Sequence, residues 1–245
     1  MFSSVKESIF GIKTVLPDIS IYLEVAKEEL WDHIHCGYWK TGAEDFVTAQ
    51  NNLYTFVKFF IPSRVKNILD VGGGIGGVSN LLIQDGYNPL CVVPDKHLIE
   101  YGTKCHPRVK FLRGTAEFFS DKCKYDLALL IESYRYFTHH PRAIANISKQ
   151  LKDNGWIIIL DDFALAPDRF PQEQELIKIL NGQNYFLTQK IDISSHILPT
   201  CEYLENYFKN KIETMSYQWA QSKKKYLNKE NNYLLLVFKR THCAS

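Results

Sequence analysis

The 245-residue chain lacks most of the features that would settle a function quickly. No charge dominates: 29 Lys and Arg stand against 27 Asp and Glu, net +2 with a pI near 8.1. Nothing in that balance demands nucleic acid or an acidic membrane as partner. Lys223, Lys224, Lys225 and Lys229 are interrupted by Tyr226 and Asn228, so they read as a solvated hairpin. None of the six cysteines (Cys36, Cys91, Cys105, Cys123, Cys201, Cys243) forms a C-x-x-C pair, which argues against a zinc ribbon or a dithiol redox motif. They read as free thiols of a reducing compartment, and the expected location is cytoplasmic. No run approaches the roughly 20 apolar residues of a membrane span. The opening MFSSVKESIFGIK has no long apolar core, so no secretory signal is expected. There is no internal repeat and no low-complexity tract. At 45% hydrophobic, the chain can bury a sizeable core as one α/β domain with a cap.

The stretch KNILDVGGGIGG at 66–77 organises the rest. Ile68, Leu69 and Val71 form a short apolar run that predicts a buried parallel strand. Five glycines follow in six positions: Gly72, Gly73, Gly74, Gly76 and Gly77. Val78, Leu81 and Leu82 then share one helical face. A strand, a glycine turn and a helix let backbone approach a ligand with no Cβ between them. Gly72, Gly74 and Gly77 fit the dinucleotide pattern G-x-G-x-x-G. Asp70, Gly72, Gly74 and Gly76 equally fit D-x-G-x-G-x-G, with the acid inside the strand's end.

The second pattern resembles the first motif of class I S-adenosylmethionine-dependent methyltransferases. That donor carries no phosphates but has a methionine end with an ammonium, which Asp70 can face. His35-Cys36-Gly37-Tyr38-Trp39 resembles the H-x-G-Y-W stretch of the tocopherol, sterol and mycolic-acid methyltransferases, whose tyrosines here cover the donor. Tyr38, Trp39 and, by its spacing upstream, Tyr22 correspond. Aromatic faces attract a sulfonium and exclude water. Ordinary core packing would also explain these rings. His33 and His35, spaced i, i+2 without a carboxylate pattern, do not suggest a metal site.

The remaining tips follow in chain order. Leu90–Val93 is the expected second strand; its ribose-binding acid would fall at Val93, and Val93-Pro94-Asp95 resembles a variant that moves the role to Asp95. Val109–Leu112 is the third strand. Gly114-Thr115-Ala116-Glu117 resembles the family's Gly-Asp-Ala-Glu, with Thr115 where the adenine-binding acid usually stands. Tyr125 to Ser133 is the fourth strand, and Ile131-Glu132-Ser133 resembles the M-E-S tip of the sterol group, with Tyr136 in place of a histidine. Trp156–Leu160 is the fifth strand after an Asn154-Gly155 turn, with paired acids Asp161 and Asp162 at its tip. These could orient an acceptor, hold magnesium on a diphosphate, or cap the next loop.

The resemblance implies a Rossmann-like, doubly wound, mostly parallel seven-stranded sheet with an antiparallel last strand. An N-terminal helical cap over 1–62 would precede a core over 63–245 with an insertion at 164–184. Within the cap, Phe2, Val5, Ile9, Ile12 and Leu16 predict an amphipathic helix over 2–16. The implied cofactor is S-adenosyl-L-methionine, leaving as S-adenosyl-L-homocysteine. The implied acceptor is a natural-product, lipid or isoprenoid-like small molecule, and a homodimer is compatible. Glu132, Tyr136 and Asp161 are the candidate catalytic residues. Tyr22, Tyr38, Trp39, Asp70, Gly72, Gly73, Gly74, Asp95, Thr115, Ala116, Glu117, Ile131 and Glu132 are the candidate donor contacts. The departures at Val93 and Thr115 also leave open a non-catalytic module of the same fold, and the glycine pattern a dinucleotide oxidoreductase.

Overall fold

The computed structural model describes residues 8–9, 12–13, 19–41, 45–167 and 170–241. The helix expected over 2–16 lies largely outside these. Where that segment is described it is not helical: Ser8–Ile9 and Ile12–Lys13 pair as a minimal antiparallel hairpin.

Seven strands form one sheet: β1 Asn67–Val71, β2 Asn88–Val93, β3 Lys110–Arg113, β4 Tyr125–Ile131, β5 Leu151–Ala164, β6 Tyr185–Asp192 and β7 Asn231–Arg240. Their order is 3-2-1-4-5-7-6. The first five are parallel, and β7 is antiparallel to both β5 and β6. The expected fold class is therefore present. The Asn154-Gly155 turn is a bulge within β5: a step from Tyr125 to Leu127 on β4 is matched by a step from Leu151 to Trp156.

Among the described residues, eight α-helices accompany the sheet: α1 Ile19–Glu29, α2 Phe46–Lys58, α3 Gly77–Gln84, α4 Lys96–Cys105, α5 His140–Gln150, α6 Glu173–Asn181, α7 Ser194–Phe208 and α8 Glu213–Leu227. The central strands β1, β4, β5 and β7 carry continuous apolar runs because both their faces are buried. Leu69, Ala128, Leu130, Ile157 and Ile159 turn to one face, against Ile144 and Ile147 of α5 and Leu176 of α6. Ile68, Leu127, Leu129, Ile158 and Leu160 turn to the other, against Leu53 and Val57 of α2 and Leu82 of α3. The period-2 alternation of strand side chains gives this division directly.

Helix α8 corrects the hairpin expected around Lys223–Lys225: these lysines lie in its last two turns, and Lys223 pairs with Glu205 of α7. Cations near a helix C-terminus complement the exposed carbonyls there. Packing α8 on α7 also brings Trp219 against Tyr22 of α1, with ring centroids 6.5 Å apart. Among the described residues, no helix is long and apolar enough to cross a membrane.

Candidate active site

The order 3-2-1-4 makes β1 and β4 the place where successive connections leave in opposite directions. In open α/β sheets that switch point opens a crevice at the strands' carboxyl ends. A cavity of about 280 Å³ lies there. Its floor is the glycine turn and the tips of β2 and β4. Its roof is the 31–36 segment, with Tyr22 of α1 and Leu204 and Trp219 from α7 and α8.

The glycines are what let floor and roof meet. Gly74 has φ +58°, and a Cβ there would stand 3.0 Å from Ile34 of the roof. Gly77 begins α3, where a Cβ would fall 1.9 Å from the Asp32 carbonyl oxygen. Beneath the turn Asp70 is 1% exposed and accepts the Ser79 hydroxyl at 2.6 Å. Burial raises its pKa to about 6, with the Ser79 bond acting in the opposite direction. It is therefore mostly ionised at neutral pH, a buried anion below the turn.

Around the rim, Asp95 lines the cavity and also caps α4, its Oδ1 accepting from His97 N at 2.7 Å and Leu98 N at 3.3 Å. Thr115 and Ala116 line the same side, and the Thr115 hydroxyl is buried without a protein partner. Glu117 Oε1 accepts from Thr138 N at 2.8 Å and His139 N at 3.2 Å, so it holds the loop after β4.

Glu132 follows the last residue of β4 with φ +49°, a left-handed conformation costly for a residue with a Cβ. The Ser133 hydroxyl donates to the Val71 carbonyl at 2.7 Å, tying this tip to β1. Glu132 Oε1 accepts from Cys36 N at 2.7 Å and from the Tyr233 hydroxyl at 2.5 Å; Oε2 accepts from Arg135 Nη2 at 2.8 Å. Burial pushes its pKa up, but Arg135, His35 and the two Oε1 bonds outweigh that and hold it below the usual carboxylate value. Arg135 also reaches Asp161 Oδ1 with Nε at 3.1 Å and Asp162 Oδ2 with Nη1 at 4.0 Å. Asp161 is fully buried, which raises its pKa to about 6 despite the Arg135 charge.

The structure thus brings together Tyr22, Asp70, Gly72, Gly73, Gly74, Asp95, Thr115, Ala116, Glu117, Ile131, Glu132 and Tyr136 around one cavity. Three expected residues stand elsewhere. The Tyr38 ring is stacked between Phe56 at 4.8 Å and His196 at 4.4 Å. Trp39 is buried with Nε1 donating to Thr200 Oγ1 at 2.8 Å. Both serve to clip the roof segment to α2 and α7, since apolar rings on this segment gain more from those helices than from an open crevice. Asp161 lies behind Arg135 and does not line the cavity.

Several cavity residues escaped the sequence reading. Trp31 and Cys36 belong to the roof. His33 and His35 also line the roof, where the sequence offers only an i, i+2 spacing that does not suit a metal and, for His35, the start of the H-x-G-Y-W stretch. Arg135 sits three residues after Glu132, a spacing at which an acid and a base can meet in one turn, and that signal was available. Trp219 was not, because α8 went unseen.

The chain matches the family model described as "Methyltransferase domain" over residues 48–210. A search of curated proteins finds no match. Among solved structures, a putative sarcosine dimethylglycine methyltransferase from Galdieria sulphuraria superposes with a TM-score of 0.81 at 11% identity, over 92% of this chain and 98% of that one. The (4+2)-cyclase SpnF gives 0.76 at 18% identity, over 91% and 93%. Geranyl diphosphate C-methyltransferase from Streptomyces coelicolor A3(2), in complex with Mg2+, geranyl diphosphate and S-adenosyl-L-homocysteine, gives 0.74 at 11% identity, over 94% and 100%. At such identities these structures share the fold. The family model, covering more than half of the residues, shows more: this chain belongs to the methyltransferase domain family.

Proposed function

We propose that the protein transfers a methyl group from S-adenosylmethionine to a small-molecule acceptor and releases S-adenosylhomocysteine. The observation that carries this is the junction, in one crevice, of the Gly72–Gly74 turn above buried Asp70, the partnerless Thr115 hydroxyl, and the ionised Glu132. The residues fit the donor piece by piece. Asp70 supplies negative charge for an ammonium. Asp95, whose Oδ1 is taken by its helix cap, has Oδ2 for a ribose hydroxyl. Thr115 supplies the hydroxyl, and Ala116 the backbone, for an adenine edge; a buried orphan hydroxyl is the kind of group a ligand satisfies.

When bound, the sulfonium supplies an electrophilic methyl group. The chain's own work is to bind, orient and exclude water. Tyr22, Trp31 and Trp219 surround the roof side with aromatic surface suited to a cation. The acceptor enters beside Tyr136, which lines the cavity and is 52% exposed. Arg135 is an orienting residue: it holds Glu132 charged and in place. Asp161 supports Arg135 from behind, so its expected catalytic part is replaced by a positioning one. The enzyme class is that of the methyl transferases, and the acceptor belongs with the natural products, lipids or isoprenoids.

Calorimetry with S-adenosylmethionine and S-adenosylhomocysteine, followed by transfer of a labelled methyl group to a panel of such acceptors, tests the proposal. Failure of both ligands to bind the folded protein at saturating concentration would refute it.

A further inference from the structure

His33 and His35 stand side by side in the roof with ring centroids 4.6 Å apart, and both line the cavity. His35 Nδ1 lies 2.7 Å from the Cys36 carbonyl oxygen. A carbonyl only accepts, so this contact puts the imidazole proton on Nδ1 and leaves Nε2 with a lone pair. Nε2 is buried and meets no protein donor. A buried acceptor of this kind is normally satisfied by something.

The groups facing this ring suit a base that is charged only in passing. Burial holds the His35 pKa below its ordinary value, so the ring is neutral at pH 7 and free to accept. Glu132, ionised nearby, attracts the imidazolium that acceptance would create. Arg135 opposes this only from beyond Glu132, where its charge is already matched by Glu132 and Asp161. The Cys36 thiol is pushed up by burial and stays neutral. Gln50 Nε2 donates to the His35 carbonyl at 2.8 Å and fixes the backbone. His33 differs. Its Nδ1 also lacks a partner, but it faces the start of α3, where a Cβ on Gly77 would lie 2.5 Å away. Its neighbours His35 and His106 both disfavour its charge, and burial holds its pKa well below the ordinary value.

We propose that His35 is the catalytic base, its Nε2 taking the proton from an O–H or N–H of the acceptor, so that the acceptor is a protic nucleophile such as a phenol, a hydroxy acid or an amine and not an alkene. The inference rests on the methyl-transfer reading above. In the step, the acceptor's O–H bond, or an N–H bond of its ammonium form, breaks and the proton goes to Nε2. The freed lone pair forms the new bond to the methyl carbon. The methyl–sulfur bond breaks, and its electron pair stays on sulfur as the neutral thioether. Glu132 stabilises the imidazolium until the proton passes to solvent.

Two measurements on the full-length protein test this. With 15N-labelled imidazoles, NMR should find His35 protonated on Nδ1, bare on Nε2, and titrating below the ordinary histidine value. Labelled methyl transfer is then followed over a panel of phenols, hydroxy acids, amines and prenyl alkenes. His35→Gln should bind S-adenosylhomocysteine like the wild type and lose about 10²–10⁴-fold in kcat on protic acceptors, the range for a general base. It should also lose the acid limb of the pH profile, and imidazole should restore part of the rate to His35→Ala. A proton on Nε2, transfer confined to alkenes, no transfer to any panel member by a protein that binds S-adenosylhomocysteine, or an unchanged kcat in His35→Gln would each overturn the assignment. If S-adenosylhomocysteine does not bind the wild type, the donor reading itself has failed, a result distinct from these four.

Discussion

Removing the Arg135 charge gives the sharpest quantitative test of the site. Its guanidinium is 13% exposed and is shared among Glu132, Asp161 and Asp162. Arg135→Met leaves three buried carboxylates with no cation among them. Breaking a buried ion pair from one side costs about 3–5 kcal/mol, because the remaining charge is left uncompensated. The loss must depend on pH. The Asp161 pKa is raised from 3.8 to about 6 even with Arg135 present. A carboxyl raised on folding contributes stability that is full below its unfolded pKa and lost as pH rises through the folded one. For Asp161 that contribution is about 3 kcal/mol, taking about 1.4 kcal/mol per tenfold change in proton affinity. Without Arg135, Asp161 and Asp162 hold their protons to higher pH and so relieve part of the damage in acid. Urea denaturation near pH 7.5 should show the full loss, and the loss near pH 5.5 should be smaller by about 1 kcal/mol or more. In thermal melts of a chain this size each kcal/mol should appear as about 2–4 °C. A loss below about 1 kcal/mol, or one that is equal at both pH values, would refute the picture of a pH-coupled buried cluster.

Other expectations are simpler. Thr115→Val replaces an orphan hydroxyl with a methyl group, so stability should hold or rise slightly while donor affinity falls by about 0.5–1.5 kcal/mol; calorimetry with no affinity change would remove Thr115 from the adenine end. Asp95→Ala should cost about 1 kcal/mol of stability through the lost α4 cap. It should separately cost about 1.5–3 kcal/mol of donor affinity, and a stability loss alone would make Asp95 a cap only. Gly74→Val should abolish donor binding in a folded protein, since φ +58° and Ile34 at 3.0 Å leave a branched side chain only the donor's space. Because Asp70 titrates near 6, donor affinity should tighten from about pH 5 to about pH 7, by at most tenfold per pH unit, and a flat profile would argue against an ammonium above it.

The centre of the sheet was legible in the sequence because the apolar runs of β1, β2, β4 and β5 end at a glycine, a proline or an acid: Gly72, Pro94, Glu132 and Asp161. The floor was legible for the same reason: Asp70 and the glycines are adjacent in the chain, so one motif carries them. The roof was not. Tyr38 and Trp39 have the right chemistry for a lid, yet which face they present depends on α2 and α7, and no local pattern in 35–39 encodes Phe56 and His196. Trp31 and Trp219, which do line the roof, stand 188 residues apart in the sequence. Asp161 was misplaced through a related gap, since its partner Arg135 lies on another strand's loop. The first helix failed where it is described because five apolar residues at helical spacing across 2–16 are a weak pattern beside Gly11 and a two-residue pairing.

The clip between roof and α7 has a consequence for how the protein is made. Gly37 N donates to Thr200 Oγ1 at 3.0 Å, and Trp39 N donates to the His196 carbonyl at 3.0 Å. A ribosome delivers residues 31–39 long before either acceptor exists. During that interval the aromatic segment has no seat, and a nascent chain carrying all of β1 to β5 still has an open crevice. Contacts this distant in sequence are slow to form, and they expose apolar surface until they do. A fragment trimmed to the 48–210 span would stay in that half-built condition permanently, with Trp31, His35 and Trp219 all missing. The recognisable family segment therefore carries the floor of the crevice, and its roof is built by the two ends of the chain once they have met over it.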